Sequence, residues 1–163
     1  MARFKFEMKW ALIFIIMSLL WMVLEKLSGL HGKYIDYHLY LTNLYAIPAI
    51  AVFVFALKDI RKNYYNGQMN FKQGFVSGMI ITVIVTIFAP LTQWIISYII
   101  SPEYFPNVIK RSVELGYYKT TTEATANFNY KNYAVQSTIA SFMMGIITTL
   151  VVAYFVRTKT VKN

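Results

Sequence analysis

The chain has 163 residues, enough for one domain, of which 57% are apolar and 14% charged; soluble domains carry about 25% charged residues. The apolar residues gather into long blocks instead of marking one face of each helix, which excludes a soluble core and makes the lipid bilayer the expected surroundings. The net charge of +9 comes from Lys and Arg placed between those blocks, not along a basic face with stacking aromatics, so nucleic acid is not an expected partner. Cysteine is absent, which removes disulfides, thiolate metal sites and cysteine nucleophiles.

In chain order, a basic start (Arg3, Lys5, Lys9) precedes the apolar run Trp10 to Leu24. Such a segment resembles a leader peptide, but Glu25-Lys26-Leu27-Ser28-Gly29-Leu30 offers no convincing cleavage site, so a retained first span over about 9–28 is expected. A second span covers about 39–57, where Pro48 predicts a kink, since neighbouring groups in a bundle can satisfy the carbonyl it frees. The third begins near Phe71 after Tyr64-Tyr65-Asn66-Gly67 and continues to about residue 100, bent or tilted at Pro90. The fourth covers about 134–156 and ends in Arg157, Lys159 and Lys162.

The connection 101–133 is too long for a turn and carries helical signals of its own. Pro106 opens a segment that Gly116 would stop, and Thr120-Thr121-Thr122-Glu123 matches a capping box whose helix would lead straight into the fourth span. The predicted fold is therefore all-α: four transmembrane helices in one membrane domain, with a short extracytoplasmic helical hairpin between the third and fourth. Orientation follows from the basic residues: ten lie in the two ends and 58–73, six in the loops 25–38 and 101–133. Both termini are expected in the cytoplasm. Most tyrosines fall in or beside the outer loops, as an interfacial aromatic belt requires.

The sharpest pattern is a four-residue recurrence on the third span, Gly74, Gly78, Thr82, Thr86 and Pro90, extended by Gln93, Ser97 and Ser101. The fourth span answers with Ser137, Ser141, Gly145, Thr149 and Ala153. Small residues at this spacing let two helix backbones approach, so the two stripes are expected to pack on each other; a polar pathway or a dimer face is the functional alternative. Glu25 shares a face of the first span with Ser18 and Trp21. An acid drawn into a bundle is a candidate proton or cation site, and the plainer reading leaves it at the outer interface. Asn43 and Gln93 carry amides that need partners in lipid, and inter-helix hydrogen bonds are expected for them. His31 and His38 beside Asp36 give a weak metal signal, and no metal site or cofactor is expected from it. No HExxH, G-x-S-x-G or P-loop occurs, and no catalytic residue is assigned.

The strings SLLWMVLEKLSGLH from Ser18, TNLYAIPAIAVFVFAL from Thr42, RKNYYNGQMNFKQGFVSG from Arg61 and PLTQWIISYIISPEYFPN from Pro90 cover nearly the whole chain in order. In these the chain resembles domain of unknown function family 4199, a group of small bacterial membrane proteins. The resemblance implies the four-helix architecture and the bacterial cytoplasmic membrane, and it supplies no activity. The function expected is that of a non-enzymatic inner-membrane protein acting through helix contacts, as a homo-oligomer or with a membrane partner. The alternative is a small dimeric transporter or channel using Glu25 and the polar face of the third span.

Overall fold

A computed structural model describes residues 2–158, with side chains from residue 4 onward; Lys159, Lys162 and the Arg3 side chain lie outside the described residues. The elements are α1 (Ala2–Leu27), α2 (Ile35–Leu41), a 3₁₀ turn (Thr42–Tyr45), α3 (Ala46–Asn63), α4 (Phe71–Ile95), a π turn (Ile96–Ile100), α5 (Tyr104–Glu114), α6 (Thr121–Asn127) and α7 (Tyr130–Val156). No strand occurs among the described residues. Among the described residues four stretches are long and apolar enough to cross a membrane: Phe4–Leu27, Ile35–Asn63, Phe71–Ile100 and Thr121–Val156. The chain is thus an all-helical, multi-pass membrane protein.

The expected spans are all present, and their ends differ for local reasons. α1 starts well before Lys9, because Phe4, Phe6 and Met8 extend its apolar surface. In the second span the irregularity precedes Pro48. Pro48 sits in the first turn of α3, where its missing N–H costs least, and the residues before it tighten into the 3₁₀ turn. The third span runs unbroken through Pro90 and changes to π geometry only at Ile96. The capping box that opens α4 joins Asn70 and Gln73 reciprocally, each bond 2.9 Å long.

Both helical segments in the long connection form. Pro106 lies in the first turn of α5, and Gly116, at φ +77°, ends it. Thr120 caps α6 by accepting the Glu123 N–H, while the Glu123 carboxylate takes the N–H of Lys119, one residue before the cap. One expectation is corrected: α6 does not run into the last span. It stops at Phe128, and Asn129 caps a new helix by accepting the Asn132 N–H.

α7 packs most extensively on α4, and α1 and α3 each touch that pair and one another. The stripes of small residues meet in antiparallel register, Gly74 opposite Ala153, Gly78 opposite Thr149 and Thr82 opposite Gly145. A Cβ at Gly78 would stand 2.5 Å from Thr149 Cγ2, and one at Gly145 would stand 2.3 Å from Thr82 Cγ2. Each threonine therefore fills the space that the facing glycine leaves, and the two hydroxyls lie 3.4 Å apart. The buried apolar core (Ala11, Phe53, Leu57, Ile60, Ile81, Val152, Val156) belongs to the half of the bundle nearer the chain ends. Lys9 and Trp10 close that end on Asp59, and Arg61 donates to the Val156 carbonyl at 2.7 Å. Gly145→Ala should lower stability by about 1–3 kcal/mol through overpacking, and Thr82→Gly in the same chain should restore part of the loss. Denaturant titration in micelles, with helicity as readout, measures both.

Candidate functional site

The half of the bundle that carries the long connection is built differently, and its polar groups converge on Glu25. α1 ends there in a Schellman motif: Gly29 N–H bonds the Lys26 carbonyl, Leu30 N–H bonds the Glu25 carbonyl, and Gly29 takes φ +82°. The left-handed turn sends the chain back over the helix end, which puts His31 beside the side chain of Glu25. α2 then presents His38 from the other side.

Glu25 is 3% exposed and His31 2%. Glu25 Oε1 accepts the Trp21 indole N–H at 2.5 Å. Its second oxygen, Oε2, lies 3.3 Å from Nε2 of His31 and 3.3 Å from Nε2 of His38. The His38 nitrogen is buried and, despite that distance, makes no hydrogen bond. His31 Nδ1 lies 2.7 Å from Ser101 Oγ, which donates in turn to Glu103 Oε1 at 3.2 Å. Ser101 is placed by the π turn, whose extra residue swings the end of the third span over the histidine; π geometry of this kind recurs at functional sites. Lys26 points away from the cluster, donating to the Ile100 carbonyl and lying 3.5 Å from Glu103.

Tyr104 covers the cluster, its ring centroid 5.2 Å from that of His31 and 5.1 Å from that of His38. Burial pushes its hydroxyl above the ordinary tyrosine range, so it stays a neutral phenol beside Tyr133. Burial also pushes the Glu103 carboxyl up, but its own backbone amide, Lys26 and Ser101 outweigh that and hold it below the usual range. Glu103 is thus an anionic acceptor at the end of the chain from His31 through Ser101.

The Glu25 carboxylate is buried within the protein at the end of α1, with Trp21, His31, His38 and Thr42 as side-chain neighbours. The histidines that lie beside Asp36 in sequence meet Glu25 in space, because Asp36 faces α5 and forms a two-pronged pair with Arg111 at 2.8 and 2.7 Å. The inter-helix role expected of two amides is corrected. Asn43 is exposed and donates back to the Leu39 and Tyr40 carbonyls of its own segment. Gln93 donates to Ser97 one turn further along its own span, at 3.0 Å. Gly74, Gly78 and Gly145 lie in the packed seam, while Ser141 does not: with Ser137 it lines a cleft.

That cleft lies between the 3₁₀ region of the second span and α7, with a volume of about 400 Å³. Asn43, Ala46, Ala49 and Ile50 form one wall, Ser137, Ala140, Ser141 and Met144 the other, and Phe14, Thr82 and Val85 the floor. A smaller recess of about 180 Å³ continues it toward Gln93 and Trp21. On the far side of Trp21 a groove of about 480 Å³ runs past Glu25, Tyr34 and Tyr37. Ser18 Oγ and Tyr45 O–H, 2.6 Å apart, tie α1 to the 3₁₀ turn at the cleft floor.

Removing a buried charge strands its partners, whereas an exposed pair contributes little. Glu25→Ala should therefore lower stability by about 3 kcal/mol in micelles, and Asp36→Asn should leave the unfolding midpoint unchanged. Thermal unfolding followed by circular dichroism compares them.

No curated protein and no solved structure is significantly similar to this chain. One family model matches, over residues 9–158, and its description is Protein of unknown function (DUF4199). That match takes in all four spans, the Glu25 cluster and the cleft. The chain belongs to domain of unknown function family 4199.

Proposed function

We propose that the protein is a non-enzymatic component of the bacterial inner membrane that works by lateral helix contact, seating a neighbouring apolar helix against the cleft between its second and fourth spans. The observation that carries this reading is the cleft itself. Its walls are mostly small or apolar side chains, Ala46, Ala49, Ala140, Ser137 and Ser141, all within the second and fourth spans. Small residues and hydroxyls at four-residue spacing favour helix association in bilayers, where close packing and inter-helix hydrogen bonds replace the hydrophobic effect. The Gly145 to Ala153 half of the α7 stripe is already consumed by α4. Ser137 and Ser141, in the other half, continue the same stripe into the cleft and remain accessible to a neighbour. The neighbour is a second copy or a partner subunit, and the distribution of basic residues supports cytoplasmic termini for both ends.

A transporter or channel using Glu25 is the second reading, and the burial of Glu25 beside two histidines favours it. The polar track of the third span supports it less, since Thr82 packs into Gly145 and Gln93 bonds to Ser97. A Glu25→Gln variant with unchanged ion flux in liposomes removes this reading.

The chain lacks cysteine, so single-cysteine variants report contacts without background. Ser141→Cys should cross-link in native membranes to a second copy or to one co-purifying protein. Leu20→Cys, on a face that is 59% exposed and away from the cleft, should not. Ser141→Trp should keep native helicity and lose the association. A strictly monomeric particle with no co-purifying protein overturns the proposal.

A further inference from the structure

We infer that Glu25, His31 and His38 form a binding site for a single divalent transition-metal ion of the zinc class. Among the described residues this is the one grouping of three such side chains whose ligand atoms all lie within 4.8 Å of one another. Its parts come from the end of α1, the turn that follows and α2, so a bound ion would tie the first span to the second. A tetrahedral ion bound at 2.0–2.2 Å sets its ligand atoms about 3.3 Å apart. Two of the three separations already have that value, from Glu25 Oε2 to each imidazole Nε2. The third closes by a turn of His38, the most exposed of the three at 18%.

The hydrogen bonds around the site point the same way. Ser101 has one hydroxyl proton and spends it on Glu103, so it receives the Nδ1–H of His31. The other ring nitrogen, Nε2, then faces a Glu25 carboxylate oxygen at 3.3 Å. A cation held between the two atoms, a proton or a metal ion, satisfies both. The ammonium of Lys26, the residue after Glu25, is engaged with Glu103 and the Ile100 carbonyl and does not supply it. A metal ion meets the need, and it also uses the His38 nitrogen that is buried without a hydrogen bond. The chain from His31 through Ser101 to Glu103 is the kind of outer support that fixes the tautomer and orientation of a metal-bound histidine.

The donor set defines the ion class. Two imidazoles and one carboxylate suit zinc and its neighbours, whereas calcium and magnesium require oxygen ligands. Three protein ligands leave the fourth position to water from the groove lined by Trp21, Tyr34 and Tyr37.

The full chain, purified in micelles with a tag free of histidine, should bind one zinc ion in equilibrium dialysis with Kd of about 1 μM or tighter. Cobalt should give the absorption bands of a tetrahedral centre. His31→Ala, His38→Ala and Glu25→Gln should each abolish stoichiometric binding, and Ser101→Ala should weaken it about 10-fold. Asp36→Asn, which alters the neighbouring pair with Arg111, should bind as the parent does. Helicity measured on each variant identifies those that remain folded. Failure of the folded parent to bind zinc at 100 μM (about a hundred times the expected Kd) overturns the inference, leaving a proton between His31 and Glu25. Equal binding by the parent and a folded His38→Ala variant also overturns it, since the ion would then sit elsewhere. Zinc binding is read on the chain alone, so it is independent of whether Ser141 meets a neighbour.

Discussion

The interlock of Gly78 with Thr149 and Gly145 with Thr82 is the contact on which the rest of the structure depends. In lipid, apolar side chains gain nothing by leaving the solvent, so two helices stay together through close packing and a few polar contacts. The glycines remove the Cβ atoms that would hold the backbones apart, and the threonines fill the gaps so completely that a single added carbon would overlap them. α4 and α7 become a rigid pair against which α1 and α3 are laid. Where the seam is tight, toward the chain ends, the buried core forms; where the α7 stripe turns away from it at Ser141, the bundle opens into the cleft.

Two backbone devices convert that open half into a polar site. The left-handed Gly29 folds the chain back onto the end of α1, and the π turn adds a residue that carries Ser101 over His31. Neither device is a long-range interaction. Together they link residues 25, 31, 38 and 101 into one run of contacts, although 76 positions separate the first from the last. A buried carboxylate is costly in any apolar medium, and here it is tolerated because Trp21 and the two histidines surround it.

Hydropathy made the four spans legible, because a bilayer sets a length that each apolar block either meets or fails. Four-residue spacing likewise made the α4 and α7 seam legible, since residues four apart lie on nearly the same face of a helix. The Glu25 cluster was half legible. His31, His38 and an acid were visible as a group, but Asp36 was the acid nearest in sequence, and Arg111, 75 residues away, claims it. The available signal was Gly29, whose place just after an apolar helix marks a Schellman turn and so returns the following residues to Glu25. Asn43 and Gln93 misled because an amide in a span has two ways to be satisfied. Hydropathy shows that a partner is needed and is silent on whether it lies on the same helix.

Trp21 joins the two features that matter. Its ring lines both the recess that continues the cleft and the groove beside Glu25, and its indole N–H is held by the Glu25 carboxylate. The ring also packs edge-on against Tyr45, which closes the cleft floor with Ser18. Under the two proposals above, a cation that draws charge from Glu25 weakens the bond holding Trp21, and Trp21 lines the recess that continues the cleft in which a helix would sit. Two binding events that meet at one side chain are coupled to the extent that each changes its position. Whatever factor the ion contributes to the affinity of the neighbour, the neighbour returns to the affinity of the ion. The sign of that factor would be set by which rotamer of Trp21 each event prefers, so Trp21 is the side chain through which the polar end of the bundle would be coupled to the cleft.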